Sequence, residues 1–576
     1  MSERVVTVRS ALALGLISGT VAVFLSLVGL VEVLHARPLV AGLSLGQALL
    51  LATALGAGAI AARRGRGGIV AAGLGTAAGA AAGAVMAVFV LLPLVTNLRG
   101  VFPNASPGLF ALLTLGRPAI AAVPLLVLIG GLAGAAGAAI MLVSPRVRRP
   151  MMYGLATVLV LSLFQDLIQL LLQSEGLATS INLFLYAEEG GPSTLGAVTM
   201  FALVAALSAG WAQEADVVRS RLAGLPASGR RTLRWVVLAA AIAAVLFVPI
   251  LGGSFVAQVL VVVGLYTLMG LGLNLEVGLA GLLDLGFVAF FAIGAYTVGL
   301  LTSVGTFGIA HWSFWSAIPV AVLTALIAGV VFGIPVLGIR GDYLAIATLG
   351  FGEITRLLVA SDFLRPWLGG SQGVLEIPPP VLALTAPGLG QITYEFGGPD
   401  QIFYLTLISS AVVVYFAWRL QHSRLGRAWM AIREDEDVAE ALGVHLVSVK
   451  LLAYGLGAAF AGVAGAIFAV MVGSIFPHSF QLLVSINVLA LIIVGGIGSN
   501  PGVVVGALAL VGLPELLREF GEFRFLIYGA VLVAMMLLRP AGLLPAPVMQ
   551  RELHEEEPEA VPRETVELAE AKEPNP

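Results

Sequence analysis

The chain contains no cysteine, which excludes disulfides, thiolate metal sites and cysteine nucleophiles. Lysine occurs only at Lys450 and Lys572, so the phosphate-cradling pattern G-x-x-x-x-G-K-S/T is absent. ATP binding by that route is excluded. Charged residues make up 11% of the sequence, against about 25% in a soluble domain. The net charge of −3 is too small to suggest nucleic acid or another polyanion as partner. His35, His311, His422, His445, His478 and His554 are scattered at the ends of apolar runs or in polar segments, and no H-E-x-x-H occurs. They read as interfacial or solvated groups rather than metal ligands.

What fills the chain instead is apolar: 59% of its residues are hydrophobic. Apolar runs of roughly 18 residues or more, each long enough to cross a bilayer, recur along nearly all of it. The expected fold is an all-α polytopic membrane protein of about sixteen transmembrane helices. Spans are expected at 10–34, 39–62, 69–95, 118–143, 151–173 and 195–212 in the first half. The second half supplies 235–251, 255–275, 279–302, 315–338, 343–360, 401–420, 451–473, 482–498, 501–517 and 523–538. Glycine and proline in 279–302 and 482–517 permit broken or re-entrant helices there. Arginines at 63–66, 146–149, 219–234 and 424–433 should face the cytoplasm, which places both termini inside and the 361–400 loop outside. The first run is longer than a signal-peptide core, so it reads as a retained span.

Five arginines between 213 and 234 mark the best domain boundary. Residues 1–232 form an expected accessory bundle of about six helices, with Gly75, Gly79 and Gly83 spaced for close helix contact. Residues 233–545 form the second membrane domain, of about ten helices. The tail 546–576 is Pro- and Glu-rich, an expected disordered cytoplasmic segment.

The segment 424–450 turns polar between long apolar runs. Charges at a bilayer centre cost about 2.5–3.5 kcal/mol each, so this block must lie outside the hydrocarbon. Asp437 and Glu440 have capping-box spacing. Val438, Ala441 and Leu442 then share one helical face, and Gly443 stands where a left-handed residue ends the helix. A short amphipathic helix of this kind is a docking surface; a solvated loop is the alternative.

Three further segments carry candidate pathway residues. The first holds Asn274, Glu276 and Asp284 beside Gly278, Gly281 and Gly286. Two acids among glycines suggest a lining or gating element, or else a turn at the interface. The second holds Arg340, Asp342 and Tyr343 at a cytoplasmic span end, then Glu353 inside an apolar run. An intramembrane Glu is a functional candidate, although Arg356 could satisfy it from the same face. The third holds Gly495, Gly496, Gly498, Pro501 and Gly502, which cannot form one undisturbed helix. A tight turn is the plain reading there.

The strings GLNLEVGLAGLLDLGFVAFFAIGAY, RGDYLAIATLGFGEITRLL, SRLGRAWMAIREDEDVAEALGV, VGGIGSNPGVVVGA and LLRPAGLLP occur in that order. In them the chain resembles the M-type permease subunit of branched-chain amino acid ABC importers, over about residues 233–545. The resemblance implies a permease of the plasma (inner) membrane that is not itself an enzyme and carries no cofactor. It implies a second permease subunit, two ATPase subunits and an extracytoplasmic solute-binding protein. The coupling segment of such permeases maps onto 424–449, with Glu440, Ala441 and Gly443 as its short signature. Arg424, Arg427, Arg433, Glu434, Asp437, Val438 and Leu442 complete the expected ATPase-coupling set. Asn274, Glu276, Gly281, Asp284, Tyr343, Glu353, Gly495 and Gly496, from the three segments above, are the candidate substrate-pathway residues. Residues 1 to about 232 have no counterpart in the family core, and the NFAHG-type string of the sister permease is missing. The same family includes permeases for urea, short amides and other small acids. An ion-coupled secondary transporter would instead need paired ionisable groups near the midplane of an inverted repeat. An intramembrane enzyme would need convergent nucleophile, base or metal ligands, and no such motif occurs.

Overall fold

The computed structural model describes residues 8–546, apart from 41, 65–67, 173–176, 188–189, 224–226, 340, 387–389, 519–520 and 522. Arg340 and nearly all of the 546–576 tail therefore lie outside the described residues. The described chain is helical except for two short antiparallel hairpins, which an all-α reading missed. One pairs Val381–Ala386 with Gly390–Glu395, in register from Val381 opposite Glu395 to Ala386 opposite Gly390. The other pairs Pro38–Val40 with Leu43–Ser44.

Eleven described helices are long and apolar enough to cross a bilayer. Three shorter apolar helices, Val288–Thr302, Asn500–Leu516 and Phe523–Leu538, occupy three more of the expected positions. The run at 151–173 is not one continuous helix. Pro145–Leu163 ends at Phe164 and the chain resumes as Gln165–Leu171. Arg37 explains the break, since it donates to the Leu163 carbonyl at 3.1 Å and pairs with Asp166 at 2.9 Å. The runs 235–251 and 255–275 follow each other within Ala227–Leu273, parted at Gly253, whose φ of 67° and ψ of −177° interrupt the helix.

The chain divides into two compact units, Met1–Ala240 and Ala241–Pro576. Within the first, Gly68–Leu91 packs closely on Ala119–Leu142. Gly79 shows why the small residues are needed: a Cβ there would lie 2.1 Å from the Gly130 carbonyl oxygen. Gly75 and Gly83 meet Ala138 and the Leu126 carbonyl in the same seam. The four-residue glycine spacing thus forms a helix-contact face.

Within the second unit, Leu446–Val472 is the most enclosed span. It packs on Phe314–Val336 and Val288–Thr302, again through small residues, with Gly294 against Gly462 and Gly329 against the Tyr454 carbonyl. Both glycine-rich stretches are interrupted, as their composition implies. Residues 280–287 lead irregularly into Val288–Thr302. Leu482–Gly495 stops at Gly496, where φ is 120°, before Asn500–Ala507 begins.

Candidate functional site

The polar segment between Pro399–Gln421 and Leu446–Val472 holds two helices, Arg424–Glu434 and Glu436–Ala441. Ser423 caps the first through its hydroxyl, which accepts from Gly426 N at 3.3 Å. Trp429 anchors it: the indole is fully buried and donates to the Val449 carbonyl at 2.8 Å. The cap of the second helix is Asp435, not Asp437 as the spacing suggests. Asp435 is extended at φ −156° where the first helix has just ended, so its carboxylate is free to accept from Val438 N at 2.9 Å. Asp437 lies in the first turn instead, where its charge suits the helix dipole.

Gly443 ends the helix as expected, at φ 89°. Its N–H donates to Glu440 and that of Val444 to Ala439, the paired bonds of a Schellman ending. Glu436 forms an ion pair with the buried Lys450, tying the short helix to the next span. The outward face is apolar: Val438 is 53% and Leu442 79% exposed, with Ala441 beside them. Arg424, Arg427, Glu434, Asp437 and Glu440 are exposed around it.

Arg433 points the other way. Its guanidinium donates to the Gly278 carbonyl at 2.8 Å. Gly281, at φ 72°, lies so close that a Cβ would be 3.1 Å from the Arg433 side chain. Gly278 belongs to a π-helical turn, Asn274–Leu279, a distortion that recurs at functional sites. From this turn Asn274 accepts from Gly498 N at 2.8 Å and donates to Asn500 at 3.3 Å. Gln421, the last residue of its span, closes the circle with bonds to Asn500 and to the Gly498 carbonyl, both at 3.0 Å. Three sequence-distant motifs therefore meet at one polar junction beside the polar helices.

Gly495 and Gly496 join the same region. Leu543 and Leu544 donate to the Val494 and Gly495 carbonyls at 2.8 and 2.9 Å, laying LLRPAGLLP along the glycine turn. A Cβ on Gly495 would stand 2.1 Å from the Gly502 carbonyl. Glu276 and Asp284 are both buried. Asp284 accepts from Gly286 N at 2.6 Å. Both Glu276 carboxylate oxygens, and the hydroxyl of Tyr454, find no hydrogen-bond partner among the described residues.

Tyr343 and Glu353 are not brought to this junction. Tyr343 is 77% exposed, and Glu353 pairs with Arg356 on the surface of Asp342–Ala360. Sequence reasoning missed Gln421, Asn500, Trp429, Asp435 and Lys450; only a polar residue at a span end hinted at Gln421. No cluster of three or more His, Asp or Glu side chains suited to a metal occurs among the described residues.

Residues 255–539 match the family model described as the permease component of the branched-chain amino acid transport system. The chain is 43% identical to the high-affinity branched-chain amino acid transport system permease protein LivM of Escherichia coli K12 over 295 residues, covering 49% of this chain and 68% of that protein. It is 23% identical to the probable LivM of Methanocaldococcus jannaschii over 335 residues, 51% of this chain and 94% of that one. The Escherichia coli permease protein LivH is also similar, at 31% over 153 residues, 26% of this chain and 48% of LivH. No solved structure matches.

Proposed function

Because the chain belongs to the branched-chain amino acid permease family, we propose that it is the membrane subunit of an ATP-driven ABC importer for branched-chain or related small amino acids. The observation that carries this reading is an outward apolar helix, Glu436–Ala441, whose neighbour Arg433 reaches the π-turn at Gly278. A partner that engages Val438, Ala441 and Leu442 moves Arg433, and with it the junction of Asn274, Gly498 and Gln421. ATPase subunits fit that partner, since this chain has no phosphate-cradling loop of its own. A second permease subunit completes the pathway, and an external binding protein delivers the solute. Closure of the ATPase pair then shifts the permease between inward and outward states. The purified chain alone should neither bind nor hydrolyse ATP. Turnover by this polypeptide, free of contaminating ATPase, would reject the reading.

The finer arrangement we assign is about sixteen spans in the inner membrane, with both termini cytoplasmic. It is supported by eleven helices long enough to cross a bilayer and three shorter ones at expected positions, and by the arginine bias of alternate loops. The absence of cysteine gives a clean test by single introduced cysteines. Ser371→Cys should react with an impermeant thiol reagent from outside, while Ser228→Cys and Ser423→Cys should be protected. The reverse pattern contradicts the topology. The first 232 residues act as an accessory bundle outside the pathway, a reading supported by the family match beginning only at residue 255. A chain truncated to start at Arg230 should then still assemble and transport. Loss of transport with normal assembly would make the extra spans part of the mechanism.

A further inference from the structure

The Asp342–Ala360 helix is long and apolar enough to cross a bilayer, yet it carries two charges in its interior. At 1.5 Å per residue, Glu353 stands about 16 Å from Asp342 and about 10 Å from Ala360. The Arg356 side chain turns back onto Glu353, its Nε donating to Oε2 at 3.0 Å. This pair is not enclosed by its own chain. The Glu353 side chain is 40% exposed and that of Arg356 28% exposed. Charges at such depth are strongly disfavoured against lipid, and they face a protein partner or an aqueous cavity instead. Ile346 and Leu357, at i−7 and i+4 from Glu353 and so on its side of the helix, are each more than half exposed.

We propose that this face lines the translocation pathway and that Glu353 and Arg356 receive the zwitterionic head of the transported amino acid. The proposal rests on the importer reading above and adds the site at which that importer meets its solute. An α-amino acid carries an ammonium and a carboxylate on one carbon. A carboxylate and a guanidinium one helical turn apart present the complementary pair, with the ammonium meeting Glu353 and the carboxylate meeting Arg356. Exposed Leu357 and Ile346 on that face then offer an apolar wall to a branched side chain. The ion pair is the resting arrangement, in which each charge holds the other while no solute is present. A solute exchanges those partners without leaving either charge bare, which keeps passage shallow in energy. A neutral solute such as urea gains nothing from this pair.

The test uses the full chain, purified with its partner subunits and reconstituted with the binding protein, and reads uptake of labelled leucine. In the double variant Glu353→Gln/Arg356→Gln, uptake should fall on the order of tenfold or more, the scale of a lost charge-assisted hydrogen bond. The variant should still co-purify with its partners. A purely structural ion pair would tolerate the charge swap Glu353→Arg/Arg356→Glu, whereas here the swap reverses the site against a fixed apolar wall and transport stays low. Leu357→Cys, on the cysteine-free background, should react with a hydrophilic thiol reagent in the assembled complex. Uptake within twofold of wild type in the double variant overturns the proposal, as does rescue by the swap or an unreactive Leu357→Cys. A wild-type complex that takes up no branched-chain amino acid counts against the importer reading itself. Leu357→Cys still reports in that case whether this face is aqueous.

Discussion

Ala441→Arg should abolish coupled transport while leaving the chain folded and inserted. Ala441 lies on the exposed face of Glu436–Ala441 between Val438 and Leu442, so an arginine there meets water in the isolated subunit. In the assembled transporter it would carry an unpaired charge into an apolar contact, at a cost of several kcal/mol. Solute uptake and transport-stimulated ATP hydrolysis should fall together, by about a hundredfold or more. Gly443→Val should act in the same direction but less strongly. It forces a β-branched residue into the left-handed position at φ 89° that closes the helix, at a cost of about 1–2 kcal/mol. Wild-type uptake by Ala441→Arg would place the coupling surface elsewhere.

Arg433→Gln should produce a different defect, in which ATP is consumed but little solute moves. The Arg433 guanidinium is the described link between the polar helices and the buried Gly278 carbonyl of the π-turn. Losing a charge-assisted hydrogen bond to a buried acceptor costs about 1.5–3 kcal/mol and leaves the carbonyl unsatisfied. The docking face is untouched, so ATPase partners should still bind and turn over. Solute moved per ATP should drop by on the order of tenfold. Arg433→Lys, which keeps one donor and the charge, should recover part of it. An unchanged transport-to-hydrolysis ratio in Arg433→Gln would remove this residue from the coupling route.

The family and the main elements were legible because they rest on local signals. Apolar run length gave the helices their places, and Gly443 and Gly496 gave endings that only a left-handed backbone accommodates. The N-cap was misplaced by two residues for a physical reason. Two aspartates stand close together, and the choice between them depends on where Arg424–Glu434 ends. That helix is anchored by a contact far along the chain, the Trp429 indole bonding the Val449 carbonyl 20 residues away. Pairings across the chain left almost no local trace. Asn274 meets Asn500 across 226 residues, and Gln421 reaches the glycine turn across 77. Tyr343 shares a motif with the buried Leu344 and Ala345 but projects outward, because successive helix positions turn about 100° and so point to different faces.

If the proposed importer reading is right, this chain moves branched-chain amino acids only when ATPase subunits act on its Glu436–Ala441 helix. The most direct measurement is uptake of labelled leucine into proteoliposomes. They would hold the chain with its permease, ATPase and binding-protein partners, with and without ATP inside the compartment that faces the helix. Uptake should require ATP and the binding protein, and should disappear with Ala441→Arg. Leucine uptake by the chain without ATPase subunits, driven by an ion gradient, would contradict that reading.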